Sequence, residues 1–358
     1  MDIGLCAEYK TYASKKYRND NVCKVVWSMR QCMREDSRRR FVYGLTIENT
    51  TMRLWYASRA ELLVSERIHW QKDHKTVVNI FQALMYAEEH TVGWDPTIIY
   101  VIQKDKGRRG MKSKKSVADE IELAEDNSPR VDIFVRDKDG KESWYRTNKL
   151  ISDFGADGLR GRGTRVWKAK KLVVDESTGE KKEEGPDVVI KVSYIDDDRQ
   201  REGSILAQIY DFLVAIKKES FYERCFLSVI THGDVYVHGR LDQTRQLMTR
   251  GLPIPEHHAT FVVQVQENES ASAKTSRGTG PSRTGTGDYR SSEPGRPFLY
   301  KPRTHYRIVF KEVCQRISDL RSLQSITEVL IQALIGKPRL SIQAMASLTV
   351  HCSPWYHA

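Results

Sequence analysis

The feature that most constrains the fold is a pair of strand-like segments followed by one amphipathic helix between residues 164 and 219. The segments TRVWKAKKLVV and PDVVIKVSYI are rich in β-branched and aromatic residues, which favour strands, and the charged stretch 175–185 separates them. The segment 198–219 places its apolar residues at helical spacing. Two strands feeding one helix predict an antiparallel sheet with a helix packed on it.

The sequence before and after this region also predicts strands, helices and insertions. Asp139-Gly140 is a favoured tight-turn pair and predicts a hairpin. Polar composition predicts a mobile insertion at 107–130, and the Ser/Gly/Thr/Pro-rich stretch 267–302 predicts a disordered one. Periodicity predicts helices over 21–36, 74–90 and 317–334, and strands over 40–47, 51–58, 97–104, 258–266 and 305–313.

The composition is typical of a globular chain, with 39% hydrophobic and 29% charged residues. We expect no membrane association, because the chain has neither a long apolar run nor a signal peptide. The six scattered cysteines form no C-x-x-C pair, which favours reduced thiols over disulfides or zinc ligands. We therefore expect an intracellular protein, cytoplasmic or nuclear.

The net charge of +11 raises the question of a nucleic-acid partner. The basic excess is concentrated in 104–115 and 271–303, two loop-like stretches whose charges are more typical of solvated loops or import signals. We therefore do not expect direct nucleic-acid binding.

Residues in a fixed order carry the candidate chemistry. Gly161 and Gly163 would let backbone N–H groups approach a phosphate chain without a Cβ in the way. Lys191 closes the run VVIK on the second strand and would place a point charge on phosphate oxygens. Glu202 shares a helical face with apolar residues, so it should point toward the sheet and pair with Lys191. Together these residues predict a nucleotide-phosphate site.

Two short motifs invite a catalytic reading that their positions exclude. Asp153-Phe154-Gly155 spells the metal-binding tripeptide of protein kinases, but it precedes the glycine stretch instead of following it. The run THGD at 231–234 also comes too early in the chain to be a catalytic loop. We interpret the first motif as a loop that leads into the sheet.

The chain contains four sequence blocks in a fixed order: RRFVYGLTIENTTMRLW, GRGTRVW, VVIKVSYIDDDRQREGSIL and HYRIVFKEV. In these blocks and their order the chain resembles the fungal-type protein kinase family. The resemblance covers about residues 40–334, apart from the two insertions. The resemblance implies a protein-kinase-like fold, ATP with magnesium, and transfer of a phosphoryl group to serine or threonine. The third loop glycine is missing, since Val166 occupies its place, and the interval between Lys191 and Glu202 is short. The resemblance implies an ATP site and a hinge built from Gly161, Gly163, Val166, Lys191, Glu202, Lys311, Glu312 and Val313.

The expected fold class is α+β. It consists of a kinase-like N-lobe, with a five-stranded antiparallel sheet and a C-type helix, preceded by a mixed α/β N-terminal region and with the C-lobe largely absent. The expected divisions are an N-terminal helical segment at 1–39, a mixed α/β part at 40–150, the N-lobe and hinge at 151–313, and the start of a C-lobe at 314–358, with an aberrant tail from about 336.

The sequence after the hinge lacks the parts that transfer a phosphoryl group. It has no His-Arg-Asp, no later Asp-Phe-Gly and no aspartate beyond Asp319, so we assign no catalytic residue and no metal ligand. A frameshift or retained intron near Gly336 would explain this tail, and genuine divergence is the alternative. We expect a kinase-family chain that is inactive as written. The alternatives are a pseudokinase or protein-interaction module, whose partner or substrate the sequence does not identify, and a basic nucleic-acid binder.

Overall fold

The computed structural model describes residues 3–12, 14–103, 121–175, 181–250, 252, 301–314 and 319–336. The described residues form two compact units that alternate along the chain. The first unit takes the described residues within Met1–Pro96, Gly155–Gly163 and Gln243–Arg303, and the second unit takes those within Thr97–Phe154, Thr164–Asp242 and Thr304–Ala358. The predicted strand 258–266 and most of both predicted insertions lie outside the described residues.

The secondary structure alternates short strands with a few helices. The strands are β1 Leu5–Lys10, β2 Phe41–Glu48, β3 Thr51–Ser58, β4 Leu62–Val64, β5 Ile68–His69, β6 Ile98–Tyr100, β7 Val131–Arg136, β8 Glu142–Ser152, β9 Arg165–Val174, β10 Lys181–Asp196, β11 Val229–Asp234, β12 Tyr236–Val237, β13 Arg240–Leu241 and β14 Arg303–Phe310. The helices are α1 Lys15–Glu35, α2 His74–Met85, α3 Glu202–Ala215, α4 Glu219–Cys225, α5 Thr244–Thr249 and α6 Leu323–Gly336. Among the described residues, no helix has the length and apolar character needed to cross a membrane.

The first unit is a sheet covered by α1. The described strands pair in the order β1-β2-β3-β4, with β5 also paired to β3, and β1 runs parallel to β2. Val25 and Met29 of α1 are fully buried against the sheet. A Cβ at Gly44 of β2 would lie 2.6 Å from the Met29 sulfur, so glycine is what lets α1 approach this strand.

The second unit is built on a larger sheet. Its strands, as far as they are described, pair in the order β11-β14-β10-β9-β8-β7-β6. The chain from β6 to β10 forms a meander in which each strand is antiparallel to the next. The hairpin between β7 and β8 turns at Gly140, which has a φ of +82° and therefore needs the freedom of glycine.

The two faces of this sheet bury different clusters. Ile190 lies in one cluster with Trp167 and Val192, and Val189 lies in the other with Val166. Neighbouring residues of β10 point to opposite faces, because side chains alternate along a strand. Leu206 of α3 packs against the second cluster, so α3 covers the face that carries Val166 and Val189.

The sheet of the second unit is larger than expected. The expectation was five strands, and the described residues give seven, because β6 and β7 continue the meander beyond β8. The division expected at residue 150 falls inside β8. The helix expected over 198–219 is shorter and begins at Glu202, after a turn closed by the Arg199 N–H bond to the Asp196 carbonyl. The mixed α/β structure is consistent with a kinase-like fold.

Candidate functional site

An ion pair joins the sheet of the second unit to the start of its main helix. Nζ of Lys191, on β10, lies 2.7 Å from Oε2 of Glu202, the first residue of α3. Lys191 is only 2% exposed, whereas the Glu202 side chain is 34% exposed. A buried ammonium is costly without a carboxylate partner, so Glu202 stabilises the charged lysine at this position. The pair places a positive charge next to a carboxylate that solvent can reach.

Apolar side chains flank the ammonium group. Val166 of β9 is directly opposite Lys191 in the antiparallel register, so the two side chains lie on one face of the sheet. Val189 and Ile308 belong to the same buried cluster as Val166. All three apolar residues are buried, so the ammonium stands beside a packed cluster between the sheet and α3.

The start of α3 is also tied to β11. Arg201, in the N-cap position, makes a bidentate contact with Asp234 through Nε and Nη2, at 2.7 and 3.1 Å. A planar guanidinium that bonds both carboxylate oxygens fixes direction as well as distance. Sequence reasoning did not find this pair, because the two residues are far apart in the chain and neither has a local signature. Asp234 ends the THGD run, which lies in β11.

The residues expected to form a hinge follow β14. The Lys311 N–H donates to the Ser228 carbonyl at 2.9 Å, and the Glu312 carboxylate accepts the Ser228 N–H at 2.8 Å. Val313 is 45% exposed and makes no hydrogen bond to another described residue. The backbone of Val313 thus has no hydrogen-bond partner among the described residues, whereas the Lys311 N–H is bonded within the protein.

The two glycines expected to cover phosphates lie in the first unit, next to Arg59. Gly161 has a φ of +131°, and its N–H donates to the Arg59 carbonyl at 2.9 Å. Gly163 has a φ of +56°, and a Cβ there would lie 2.6 Å from Nε of Arg59. The Arg59 guanidinium is buried and donates to the carbonyls of Gly158 and Met33. Gly163 therefore packs against this arginine, whereas Gly161 contacts it only through the backbone bond and has no atom within 4 Å of an added Cβ.

Asp153-Phe154-Gly155 lies between β8 and β9. A short 3₁₀ turn spans Phe154–Ala156, and the Phe154 ring is largely exposed. The second unit thus holds Val166, Lys191, Glu202 and 311–313, and the first unit holds Gly161 and Gly163.

Comparison with known proteins identifies a family for the chain. A family model described as fungal protein kinase matches residues 1–346, which is nearly the whole chain. Neither the curated proteins nor the solved structures that were searched contain a match to the chain.

Proposed function

The chain belongs to the fungal protein kinase family, and from this premise we propose that its second unit binds ATP. The observation that carries the proposal is the 2.7 Å ion pair between Lys191 and Glu202. In protein kinases a lysine of the sheet contacts the nucleotide phosphates, and a glutamate of the next helix holds that lysine. Lys191 would neutralise phosphate charge, and Glu202 would keep the ammonium at the face of the sheet.

The base of the nucleotide would lie beside Lys191, on the face of the sheet that carries Val166. Val166 is buried, so the base would have to displace some of its neighbours to contact it, and the backbone of Val313 would hydrogen-bond the polar edge of the base. Lys311 and Glu312 would act indirectly, because their bonds to Ser228 fix the chain that leads to Val313.

The role of Gly161 and Gly163 in phosphate binding stays a prediction from the family resemblance. Both glycines belong to the first unit, whereas Lys191 belongs to the second, and the Gly161 N–H is bonded to the Arg59 carbonyl.

The chain offers fewer suitable residues for binding magnesium than for binding ATP. A kinase holds its metal ions with an aspartate and an asparagine that follow the hinge, and the sequence has no aspartate after Asp319. Neither group of possible metal ligands among the described residues includes Glu202, which is bonded to the lysine. We therefore derive no step through a metal ion.

We further propose that residues 1–358 bind ATP without transferring its phosphoryl group. Transfer needs a carboxylate that orients the substrate hydroxyl and ligands for a metal ion, and neither His-Arg-Asp nor Asp-Phe-Gly occurs between Val313 and residue 358. The residues present act as a nucleotide-binding N-lobe. The alternative is a protein-interaction module of the same family that does not depend on ATP.

Ligand-induced thermal stabilisation tests the proposal. A ligand that binds the folded state at about 100 times its dissociation constant stabilises it by about 2.7 kcal/mol. We expect ATP to raise the Tm of the wild-type chain and to raise that of Lys191→Met by clearly less. Lys171→Met, at an exposed lysine of β9, is the matched control and should respond like wild type. Equal responses in all three proteins would reject the site, and no response in the wild type would favour the ATP-independent module.

A further inference from the structure

A buried tyrosine of the sheet contacts the first turn of α3. The Gly203 N–H donates to the hydroxyl oxygen of Tyr306, on β14, at 2.9 Å. The first N–H groups of a helix have no partner within the helix, so they need one from elsewhere. Tyr306 is 0% exposed, and this burial raises the pKa of its phenol above the usual range. A neutral hydroxyl in a fixed position therefore caps this end of the helix.

Gly203 is the residue that lets the helix come close enough for this bond. A Cβ at position 203 would lie within 2.6 Å of three ring atoms of His232, on β11. The His232 ring in turn lies beside that of Tyr306, with centroids 5.9 Å apart. The absence of a side chain at 203 thus allows the helix backbone to reach both rings.

Three consecutive residues are fixed to three different strands. Arg201 is held by Asp234 on β11, Glu202 meets Lys191 on β10, and the Gly203 N–H is bonded to Tyr306 on β14. Glu202 lies between the two other attachments, so they determine where its carboxylate stands. Helix ends that lack such attachments fray.

We propose that Tyr306 is a positioning residue that holds the first turn of α3 where Glu202 reaches Lys191. The consequence for nucleotide binding rests on the proposed function, but the effect on the ion pair does not. Loss of the hydroxyl would leave the Gly203 N–H unpaired, let the first turn move, and free the Lys191 ammonium for part of the time.

The direct test measures how fast an amine-reactive reagent, acetic anhydride, modifies Lys191 in the full chain without nucleotide. Tyr306→Phe removes one oxygen atom, and we expect about a three- to tenfold faster modification of Lys191, the effect of losing one buried hydrogen bond. Tyr145→Phe is the matched control, because Tyr145 is nearly as buried as Tyr306 but lies in the cluster on the opposite face. An unchanged rate in Tyr306→Phe, or the same increase in both variants, would overturn the proposal.

A double-mutant cycle separates positioning from general loss of stability. In the Glu202→Gln background the ammonium has already lost its carboxylate, so Tyr306→Phe should add little to the rate of modification. A purely structural role would give the same increase in both backgrounds, and that result would contradict the proposal.

Two further measurements cover a variant that fails to fold and separate this proposal from the proposed function. If Tyr306→Phe does not fold, hydrogen exchange of the Gly203 amide in the wild-type chain takes its place. We expect protection there comparable to that of the helix interior, and an unprotected amide would overturn the proposal. If ATP does not bind the wild type but Tyr306→Phe still speeds modification of Lys191, the proposed function fails and the positioning role stands.

Discussion

The ammonium of Lys191 and the carboxylate of Glu202, 2.7 Å apart, differ sharply in their access to water. The lysine is almost completely buried, and about a third of the glutamate side chain is exposed, at 34%. Replacing Glu202 leaves a buried charge without a partner, whereas replacing Lys191 leaves a charge that water can reach. The two replacements should therefore differ in their effect on stability.

The first prediction follows from this asymmetry. Glu202→Gln leaves a buried ammonium without its counter-charge and should lower the free energy of unfolding by about 2 kcal/mol, a value discounted for the exposure of Glu202. Lys191→Met leaves a carboxylate that water can solvate, and its loss should be smaller. Urea unfolding followed by tryptophan fluorescence would rank the two variants. The reverse order would show that Glu202 does not stabilise the lysine.

The second prediction concerns the packing of Gly163 on Arg59. Gly163→Ala adds a Cβ 2.6 Å from Nε of Arg59 at a residue with a φ of +56°. Gly185→Ala is the matched control, because Gly185 has a φ of +79° and no atom within 4 Å of the added Cβ. In both variants the left-handed backbone conformation should lower the free energy of unfolding by about 1 kcal/mol. Gly163→Ala should lower it further, because Arg59 must move.

Equal losses in these two glycine variants would mean that Arg59 yields without cost. The measurement is the Tm of each variant against that of the wild type.

The third prediction is a pH dependence at His232. Burial, and then the charge of Lys138, lower the pKa of His232 from its ordinary value of 6.5, against an opposing effect of Asp234 and Asp137. The unfolded chain therefore binds this proton at a higher pH than the folded chain does. The contribution of His232 to stability is therefore most favourable above about pH 6.5 and is lost as the pH falls through the lower pKa of the folded state.

Replacing His232 with asparagine removes this titration. The Tm of His232→Asn should fall less between pH 7 and pH 5 than that of the wild type, whatever the starting values. Parallel Tm curves for the two proteins would show that His232 titrates normally in the folded state.

Local pattern predicted the parts of the fold that depend on neighbouring residues. The hairpin of β2 and β3, the strands β9 and β10, and the helix that begins at Glu202 follow from alternation, helical spacing and turn residues. The contact between Lys191 and Glu202 was also predicted, because a glutamate on an apolar helix face needs a buried partner.

What the sequence did not reveal depends on contacts between distant segments. Parallel pairing of β1 with β2 was not predicted, since the long helix α1 separates the two strands. The bond from Gly203 to Tyr306 and the packing of Gly163 on Arg59 each join residues about 100 positions apart, and no local pattern records such a contact. The glycines alone suggested a phosphate loop, and only the structure reveals the arginine beside them.

The most direct test of the central claim compares the affinity of the chain for ATP with its affinity for adenosine, by calorimetry. If Lys191 binds the phosphates, the wild type should prefer ATP by about tenfold or more, as expected for a charge-assisted contact. Lys191→Met should lose that preference and still bind adenosine as the wild type does. If the wild type binds both ligands equally, or if Lys191→Met keeps the preference for ATP, Lys191 is not a phosphate ligand and the account is wrong.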